Sequence, residues 1–401
     1  MIVSTGLVHV RRLVVAVAVA LIVVLSNGFG PGPAASAAPV CGRLPSTYPI
    51  TAEPWASQRL AFRNAWPLSR GRGVVVGVVD TGVDARHPLL AGRILSGVDV
   101  VNGGGRADTD CAGHGTFVAG LIVGLVVDGV GFTGVAPEAT VLPVRQSNST
   151  GDGTAATLAA SIRAAVDGGA RVVNVSVVVS EPTPALAEAV RYALARDVVM
   201  VAAAGNQAQQ GNPRQYPAAF PGVLAVGAVG PDGLTTEFSQ SDTGVRVVAP
   251  GVDIVGPGAG GTGLIGGEQG TSFAAPFVSG VAALVRAYRP RLTAAQVRHR
   301  IEVTADHPGT RLLPDAAHGF GVVNPYRAVA AELPEESAPA ATRPAGSLPP
   351  APVPAAADPR ERRAAVLAAL LGAGLGLVGL LTLVLPAAHR RRWRAPEPPA
   401  R

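Results

Sequence analysis

Lysine is absent from this 401-residue sequence, and all 33 of its Lys-or-Arg residues are arginine. We attribute this bias to the base composition of the genome and draw no chemistry from it. The net charge of +6 also says little about the folded part of the chain. Arg11, Arg12 and the basic segment 389–401 account for all of that excess, so the remaining sequence is neutral. A neutral remainder argues against a nucleic-acid-binding domain and excludes no other class of partner.

The first 37 residues have the pattern of a secretory signal peptide. Arg11 and Arg12 precede an apolar run over Leu13–Leu25, and small residues at Ala35–Ala37 supply a cleavage site. The apolar run is short for a membrane span, although a retained signal anchor is the alternative. We therefore predict export of the N-terminus and removal of residues 1–37.

A second apolar run lies near the C-terminus, at 364–388, where 25 residues carry no charge and are enough to cross a bilayer. The arginine-rich segment 389–401 follows directly, and basic segments of this kind remain in the cytoplasm. We predict one transmembrane helix at 364–388 and a cytoplasmic tail at 389–401, with a buried core helix as the alternative. The protein is thus expected in the cell membrane, single-pass, with its main domain on the extracytoplasmic side.

Proline and alanine dominate residues 333–363, which contain few large apolar side chains. Such a segment cannot form a core and is typical of an extended stalk. The predicted organisation is therefore an N-terminal extension at 38–54, a globular domain at 55–332 and a stalk at 333–363 that leads to the membrane.

Only two cysteines are present, Cys41 and Cys111, and both lie in the exported part of the chain. An even count outside the cytoplasm predicts one disulfide between them, while two free thiols are the alternative. Asp108 and Asp110 are acidic neighbours of Cys111, but two carboxylates are too few to argue for a metal site. We expect neither a metal nor a cofactor.

Valine-rich runs of strand length recur through the domain, at 73–79, 140–145, 171–179, 198–204, 223–229 and 245–251. Their near-continuous hydrophobicity suits strands that are buried on both faces. Helical patterns at 153–169 and 184–197 alternate with these runs. The sequence therefore predicts an α/β fold in three layers, with a mostly parallel sheet and helices on both faces. In such sheets, functional residues gather at the carboxyl ends of the strands.

Two of the predicted strands lead directly into polar residues. Asp80 follows the run at 73–79 and Asn206 follows the run at 198–204. A carboxylate in the position of Asp80 is either partly buried and in need of a partner or a simple turn cap. Asn206 can donate a hydrogen bond to a developing negative charge, or it can merely occupy a turn after Gly205.

Two predicted helices have a residue that can carry chemistry at or just before their start, and these helices begin near Thr116 and at Ser272. His114 lies between Gly113 and Gly115, although a lone histidine is more often structural. Ser272 opens a run of small and apolar residues that contains Pro276, and we expect this proline to be tolerated because it lies near the helix start. Free N–H groups at that start suit a nucleophile whose reaction creates an oxyanion, whereas an N-cap serine is the alternative.

The order of Asp80, His114 and Ser272 along one α/β domain is the order of the subtilisin arrangement. The segments VVDTGV, GHGT, AAAGN and GTSFAAP resemble the four signature segments of subtilisin-like serine peptidases. The resemblance implies that Ser272 is the nucleophile, that His114 is its base and that Asp80 stabilises the imidazolium. It also implies an oxyanion hole formed by the Asn206 side chain and the Ser272 N–H.

Substrate binding is the point at which the sequence departs from that family. The resemblance implies substrate contacts at Ser176 and Gly205. Subtilisins usually continue after the equivalent of Ser176 with Leu-Gly-Gly, but this chain has Val177–Val179. Main-chain pairing with a bound peptide is still expected, whereas the shape of the adjoining pocket is left open.

Finer features resemble the mycosins, membrane-anchored peptidases of type VII secretion systems. These features are the order of signal peptide, catalytic domain, stalk, span and basic tail, together with the segments at 53–83, 108–120, 134–147 and 318–329. The resemblance implies a serine endopeptidase that processes secreted proteins and whose partner is the type VII membrane complex, which it also stabilises. A structural subunit with dispensable catalysis and a general cell-surface degradative protease are the alternatives.

Overall fold

The computed structural model describes residues 50–148, 153–307, 309 and 312–337. The predicted signal peptide, membrane span and cytoplasmic tail lie outside these residues, as do Cys41 and most of the predicted extension and stalk. Within the described part of the chain, no helix has both the length and the apolar character needed to cross a bilayer.

The described chain alternates between strands and helices. The helices are Trp55–Leu60 (α1), His114–Val123 (α2), Ala155–Asp167 (α3), Pro184–Ala195 (α4), Thr271–Tyr288 (α5), Ala294–Val303 (α6), Pro325–Ala330 (α7) and Pro334–Ser337 (α8). The strands are Val75–Asp80 (β1), Val98–Asp99 (β2), Thr140–Arg145 (β3), Val172–Val175 (β4), Val199–Ala203 (β5), Leu224–Val229 (β6), Val247–Pro250 (β7), Ile254–Pro257 (β8) and Leu264–Glu268 (β9).

Strands β1 to β7 form one sheet in the order β2-β3-β1-β4-β5-β6-β7, and every neighbouring pair is parallel. The prediction of a mostly parallel sheet is confirmed. Strand β1 lies between β3 and β4, so the strand order reverses direction next to it. Crevices form at the carboxyl edge of such a reversal, and β1 ends there in Asp80.

Helices cover both faces of the sheet. Val76 and Val78 of β1 belong to the apolar cluster that contains α2 and α5, whereas Val79 belongs to the cluster that contains α3 and α4. Successive side chains of a strand point to opposite faces, so β1 is buried from both sides. This double burial explains why its sequence is apolar up to Asp80 and does not alternate.

The C-terminal boundary of the packed domain lies slightly beyond the predicted one. Residues 334–337 form the short helix α8, within the segment predicted as the start of the stalk. The Glu336 carboxylate accepts a hydrogen bond from Nε of the buried Arg300 at 2.7 Å, and this ion pair holds α8 against α6. The packed domain therefore extends to Ser337.

The predicted strand at 171–179 is shorter in the structure and ends at Val175. Beyond Ser176 the chain leaves the sheet, and Val179 forms an isolated antiparallel bridge with Tyr216. The antiparallel hairpin of β8 and β9 was not predicted, because its glycine-rich sequence has neither alternation nor a continuous apolar run. Hydrophobicity alone thus misplaced the end of β4 and missed the short strand β2 and the hairpin of β8 and β9.

The expectation that Pro276 falls near the start of its helix is wrong, because α5 begins at Thr271 and the proline is its sixth residue. A proline there leaves the carbonyl four residues earlier, that of Ser272, without its helical donor. The Ser176 hydroxyl donates to this carbonyl at 3.0 Å, and it accepts in turn from the Asn174 amide at 2.8 Å. Helix α5 tolerates Pro276 because a side chain at the end of β4 supplies the missing hydrogen bond.

Candidate active site

The site begins with a buried carboxylate at the carboxyl end of β1. The Asp80 side chain has no exposed surface, and its Oδ1 accepts from the Thr81 N–H at 2.8 Å and contacts Nδ1 of His114 at 2.7 Å. Gly115 makes this approach possible, since a Cβ at that position would lie 2.1 Å from the Gly82 oxygen and 3.1 Å from the Asp80 Cβ. Any side chain at 115 would therefore separate the histidine from its carboxylate.

His114 is the first residue of α2, and the ring retains 29% exposure, so one edge is reachable from solvent. The ring also packs against Phe273, with 5.0 Å between the ring centroids. Burial lowers the pKa of His114, but the charge and hydrogen bond of Asp80, with the charges of Asp110 and Glu268, raise it more. The net result is a histidine pKa above its ordinary value.

Ser272 is the second residue of α5 and is buried. Gly270, the residue before the helix, has φ of +146°, a conformation that L side chains rarely adopt. A Cβ at Gly270 would lie 3.1 Å from Ser272 Oγ and 3.1 Å from Asn206 Nδ2. The hydroxyl and the amide therefore border the same small space in front of Gly270.

The orientation of the Asn206 amide is set by Thr271. Asn206 Oδ1 accepts from the Thr271 N–H at 2.8 Å and from the Thr271 hydroxyl at 2.9 Å. Thr271 Oγ1 accepts in turn from the Gly205 N–H at 3.0 Å. Since the oxygen of the amide is occupied by two donors, its NH₂ group is the part that faces the space beside Ser272.

The structure thus brings the sequence-predicted residues together in two pairs that meet at Phe273. Asp80 and His114 are in contact, Asn206 and Ser272 share one space, and the His114 ring packs on the residue after Ser272. His114 and Ser272 both lie within the described residues, and no hydrogen bond joins Nε2 to Oγ. Contacts of this kind tighten when a substrate binds.

Ser176 and Gly205, the predicted substrate contacts, both lie against this site. The Ser176 hydroxyl donates its hydrogen bond to the Ser272 carbonyl, so Ser176 can contact a ligand through its main-chain groups. A Cβ at Gly205 would lie 2.0 Å from Gln240 Oε1 and 2.6 Å from Gln215 Cγ. The two glutamines therefore fill the space behind Gly205, and no side chain larger than hydrogen fits there.

Three positions of the site were not predicted: Thr81, Thr271 and Asp110. Each is buried or half-buried and makes several hydrogen bonds that fix the backbone next to a site residue. The first two stand directly beside Asp80 and Ser272, which is the one signal that could have indicated them. Asp110 was weighed only as a metal ligand.

The disulfide between Cys41 and Cys111 stays a prediction, because Cys41 lies outside the described residues. Cys111 is exposed and stands between Asp110 and Ala112, three residues before His114. A bridge at this position would attach the N-terminal extension to the loop that carries the histidine.

Comparison with known proteins adds family information to this geometry. The model of the subtilase family, Peptidase_S8, matches residues 71–322. Mycosin-4 of Mycobacterium tuberculosis is 37% identical over 382 residues, which cover 84% of this chain and 82% of that protein. Subtilisin DY of Bacillus licheniformis is 37% identical over 259 residues, which cover 64% of this chain and 90% of that protein.

A solved structure of a relative agrees with these matches. It is that of MycP1, described as a serine protease and an essential component of the type VII (ESX-1) secretion system. It superposes with a TM-score of 0.64 at 34% identity and covers 73% of this chain and 93% of its own.

The raised pKa of His114 predicts how reactivity at the site depends on pH. A base must be neutral to take a proton, so reactivity should be lost as pH falls through the histidine pKa. With Asp80 in contact, we expect the midpoint of this acid limb above 6.5, the ordinary histidine value. The rate at which Ser272 reacts with a fluorophosphonate, measured against pH, checks this. A midpoint clearly below 6.5 would show that Asp80 does not support the imidazolium.

Proposed function

The chain belongs to the subtilase family and to the mycosins within it, so it is a serine endopeptidase, and from that premise we propose that Asp80, His114 and Ser272 are its catalytic triad. The contact of 2.7 Å between His114 Nδ1 and the buried Asp80 carboxylate is the observation that carries this assignment. A carboxylate at Nδ1 leaves Nε2 to exchange a proton with the nucleophile.

In the proposed mechanism, Ser272 Oγ attacks the scissile carbonyl while His114 takes the hydroxyl proton. The oxyanion of the tetrahedral intermediate accepts hydrogen bonds from the Asn206 NH₂ group and the Ser272 N–H. His114 then gives its proton to the leaving amine, which leaves an acyl-enzyme on Ser272. Water, activated by the same histidine, releases the second product. Asp80 stays ionised and stabilises the imidazolium in both steps.

We also propose where the enzyme acts. MycP1 is a serine protease of a type VII secretion system, and this chain carries a predicted signal peptide, stalk and membrane span in the order that the mycosin resemblance implies. The proposed enzyme is held by one C-terminal helix, faces the extracytoplasmic side and processes secreted protein substrates. The predicted bridge from Cys41 to Cys111 would keep the N-terminal extension beside the site.

A second role follows from the same tether. MycP1 is described as an essential component of its secretion system, and a protein can be essential through its chemistry or through its docking surface. We propose that this chain also stabilises the secretion membrane complex. A mainly structural subunit with dispensable catalysis is the alternative, and so is a general degradative protease of the cell surface.

Fluorophosphonate labelling of membranes that contain the full-length protein tests the triad. We expect labelling at Ser272, none in Ser272→Ala, and a rate lower by at least roughly a thousandfold in His114→Ala, because the triad acts as a unit. Ser161→Ala is the matched control, since Ser161 is also a buried helical serine but lies on α3, which packs on the opposite face of the sheet from α5. Equal labelling of Ser272→Ala and the wild type would refute the assignment.

Export of type VII substrates separates catalysis from docking. Ser272→Ala removes one oxygen and leaves the fold intact, whereas deletion of the gene also removes the docking surface. We expect deletion to abolish export and disassemble the membrane complex, and Ser272→Ala to abolish only substrate processing. Immunoblots of culture filtrate and native gels of membranes measure these outcomes. Loss of export in Ser272→Ala at normal protein level would instead make catalysis the requirement for secretion.

A further inference from the structure

Asp110 is a second buried carboxylate behind the His114–Asp80 pair. Its Oδ1 accepts from the Thr81 hydroxyl at 2.9 Å and from the N–H groups of Ala112 and Gly113 at 3.1 and 2.8 Å. Its Oδ2 accepts from the Thr116 N–H at 2.8 Å and from the Thr116 hydroxyl at 2.7 Å. Five donors on one residue that is 2% exposed make Asp110 the most densely bonded carboxylate near the site.

These bonds join the two segments that carry the catalytic pair. Thr81 directly follows Asp80 at the end of β1, and its Oγ1 accepts from the Gly115 N–H at 3.0 Å. Gly113 and Thr116 flank His114 at the start of α2. Asp110 therefore connects the strand end to the helix start through Thr81, and the relative position of the two catalytic residues depends on it.

The same neighbours determine the charge of Asp110. Burial and the nearby charge of Asp80 raise the pKa of the Asp110 carboxyl above its ordinary value, although the hydrogen bonds from Thr116 and Gly113 lower it. All five groups that contact Asp110 are placed as donors, and three of them are backbone N–H groups, which cannot accept a proton from it. This donor set favours the carboxylate.

His114 is faced by three acidic groups from three elements. They are Asp80 on β1, Asp110 in the loop before α2 and Glu268 on β9. Arg145 on β3 is the nearby cation, but its guanidinium is directed to the carbonyl oxygens of Thr81 and Thr109 and to the Asp99 carboxylate. The negative charges therefore dominate the field at the imidazole.

We propose that Asp110 is a positioning residue of the active site, which fixes the His114–Asp80 contact through Thr81 and α2 and stabilises the imidazolium with its own negative charge. The proposal rests on the triad assigned above. Asp110 does not touch substrate, so its effect should appear as a changed reactivity of Ser272 and not as a new specificity.

The test is the fluorophosphonate labelling rate of Ser272 in the full-length protein, measured across the pH range in which histidine titrates. Asp110→Asn removes the charge and turns one acceptor into a donor. We expect a rate lower by about ten- to a hundredfold at the optimum. Because a negative charge near His114 is lost, we also expect the acid limb to move down by about half a pH unit or more.

Asp84→Asn is the matched control. Asp84 is likewise buried and its carboxylate accepts from the Gly260 N–H at 2.9 Å, but it is not among the three acidic groups that face His114. The control should keep the wild-type midpoint. A merely structural loss in Asp110→Asn would lower the amount of reactive protein without moving the midpoint, and this result would overturn the electrostatic part of the proposal.

Thr81 provides a second pair of variants in case Asp110→Asn does not fold. Thr81→Val cuts the bridge between Asp110 and Gly115 but keeps every charge, so the labelling rate should fall while the midpoint stays. Thr81→Ser keeps the hydroxyl and should label like the wild type. Equal rates for Thr81→Val and Thr81→Ser would overturn the positioning role.

Failure of the wild type to label would count against the triad itself, whereas a reactive wild type with an unchanged Asp110→Asn would contradict this proposal alone.

Discussion

The burial of one carboxylate, Asp80, is the constraint on which the rest of the site depends. A charge without solvent must be compensated by hydrogen bonds and by a partner charge, and Asp80 has the Thr81 N–H and the His114 imidazole. His114 can reach it only because α2 begins directly behind β1, with glycine on either side of the histidine. The fold therefore does more than bring two residues close: it makes the histidine one of the two hydrogen-bond partners of a buried carboxylate.

The same logic extends to Ser272, the proposed nucleophile. Helix α5 carries Ser272 in its first turn, where its N–H is free to act, and also carries Pro276, which deprives the Ser272 carbonyl of its helical donor. Ser176 restores that bond from the end of β4, and Asn206 is turned by Thr271 so that its NH₂ faces the Ser272 hydroxyl. Ser272 and Asn206 are thus each held by a neighbour from a distant segment of the chain.

Much of this was predictable from the sequence, since strand ends and glycines are local signals. The apolar runs before Asp80 and Asn206 indicated buried parallel strands, and the structure confirms both. What was missed depends on contacts between distant segments. The sequence around Pro276 does not show that the hydroxyl of Ser176, 96 residues before Ser272, donates the hydrogen bond that the Ser272 carbonyl lacks. Nor does the loop before His114 show that Asp110 turns back to Thr81. The valine run after Ser176 looks like a strand, yet the chain leaves the sheet there, and Val179 instead pairs with Tyr216.

We propose that two pairs of residues, Asp80–His114 and Asn206–Ser272, form one catalytic centre. A crystal structure of the protein after reaction with a fluorophosphonate tests the claim most directly. We predict phosphorus bonded to Ser272 Oγ, His114 Nε2 directed at the adduct, and the phosphonyl oxygen within about 3.1 Å of both Asn206 Nδ2 and the Ser272 N. An adduct on another residue, or one whose oxygen points away from Asn206, would contradict it.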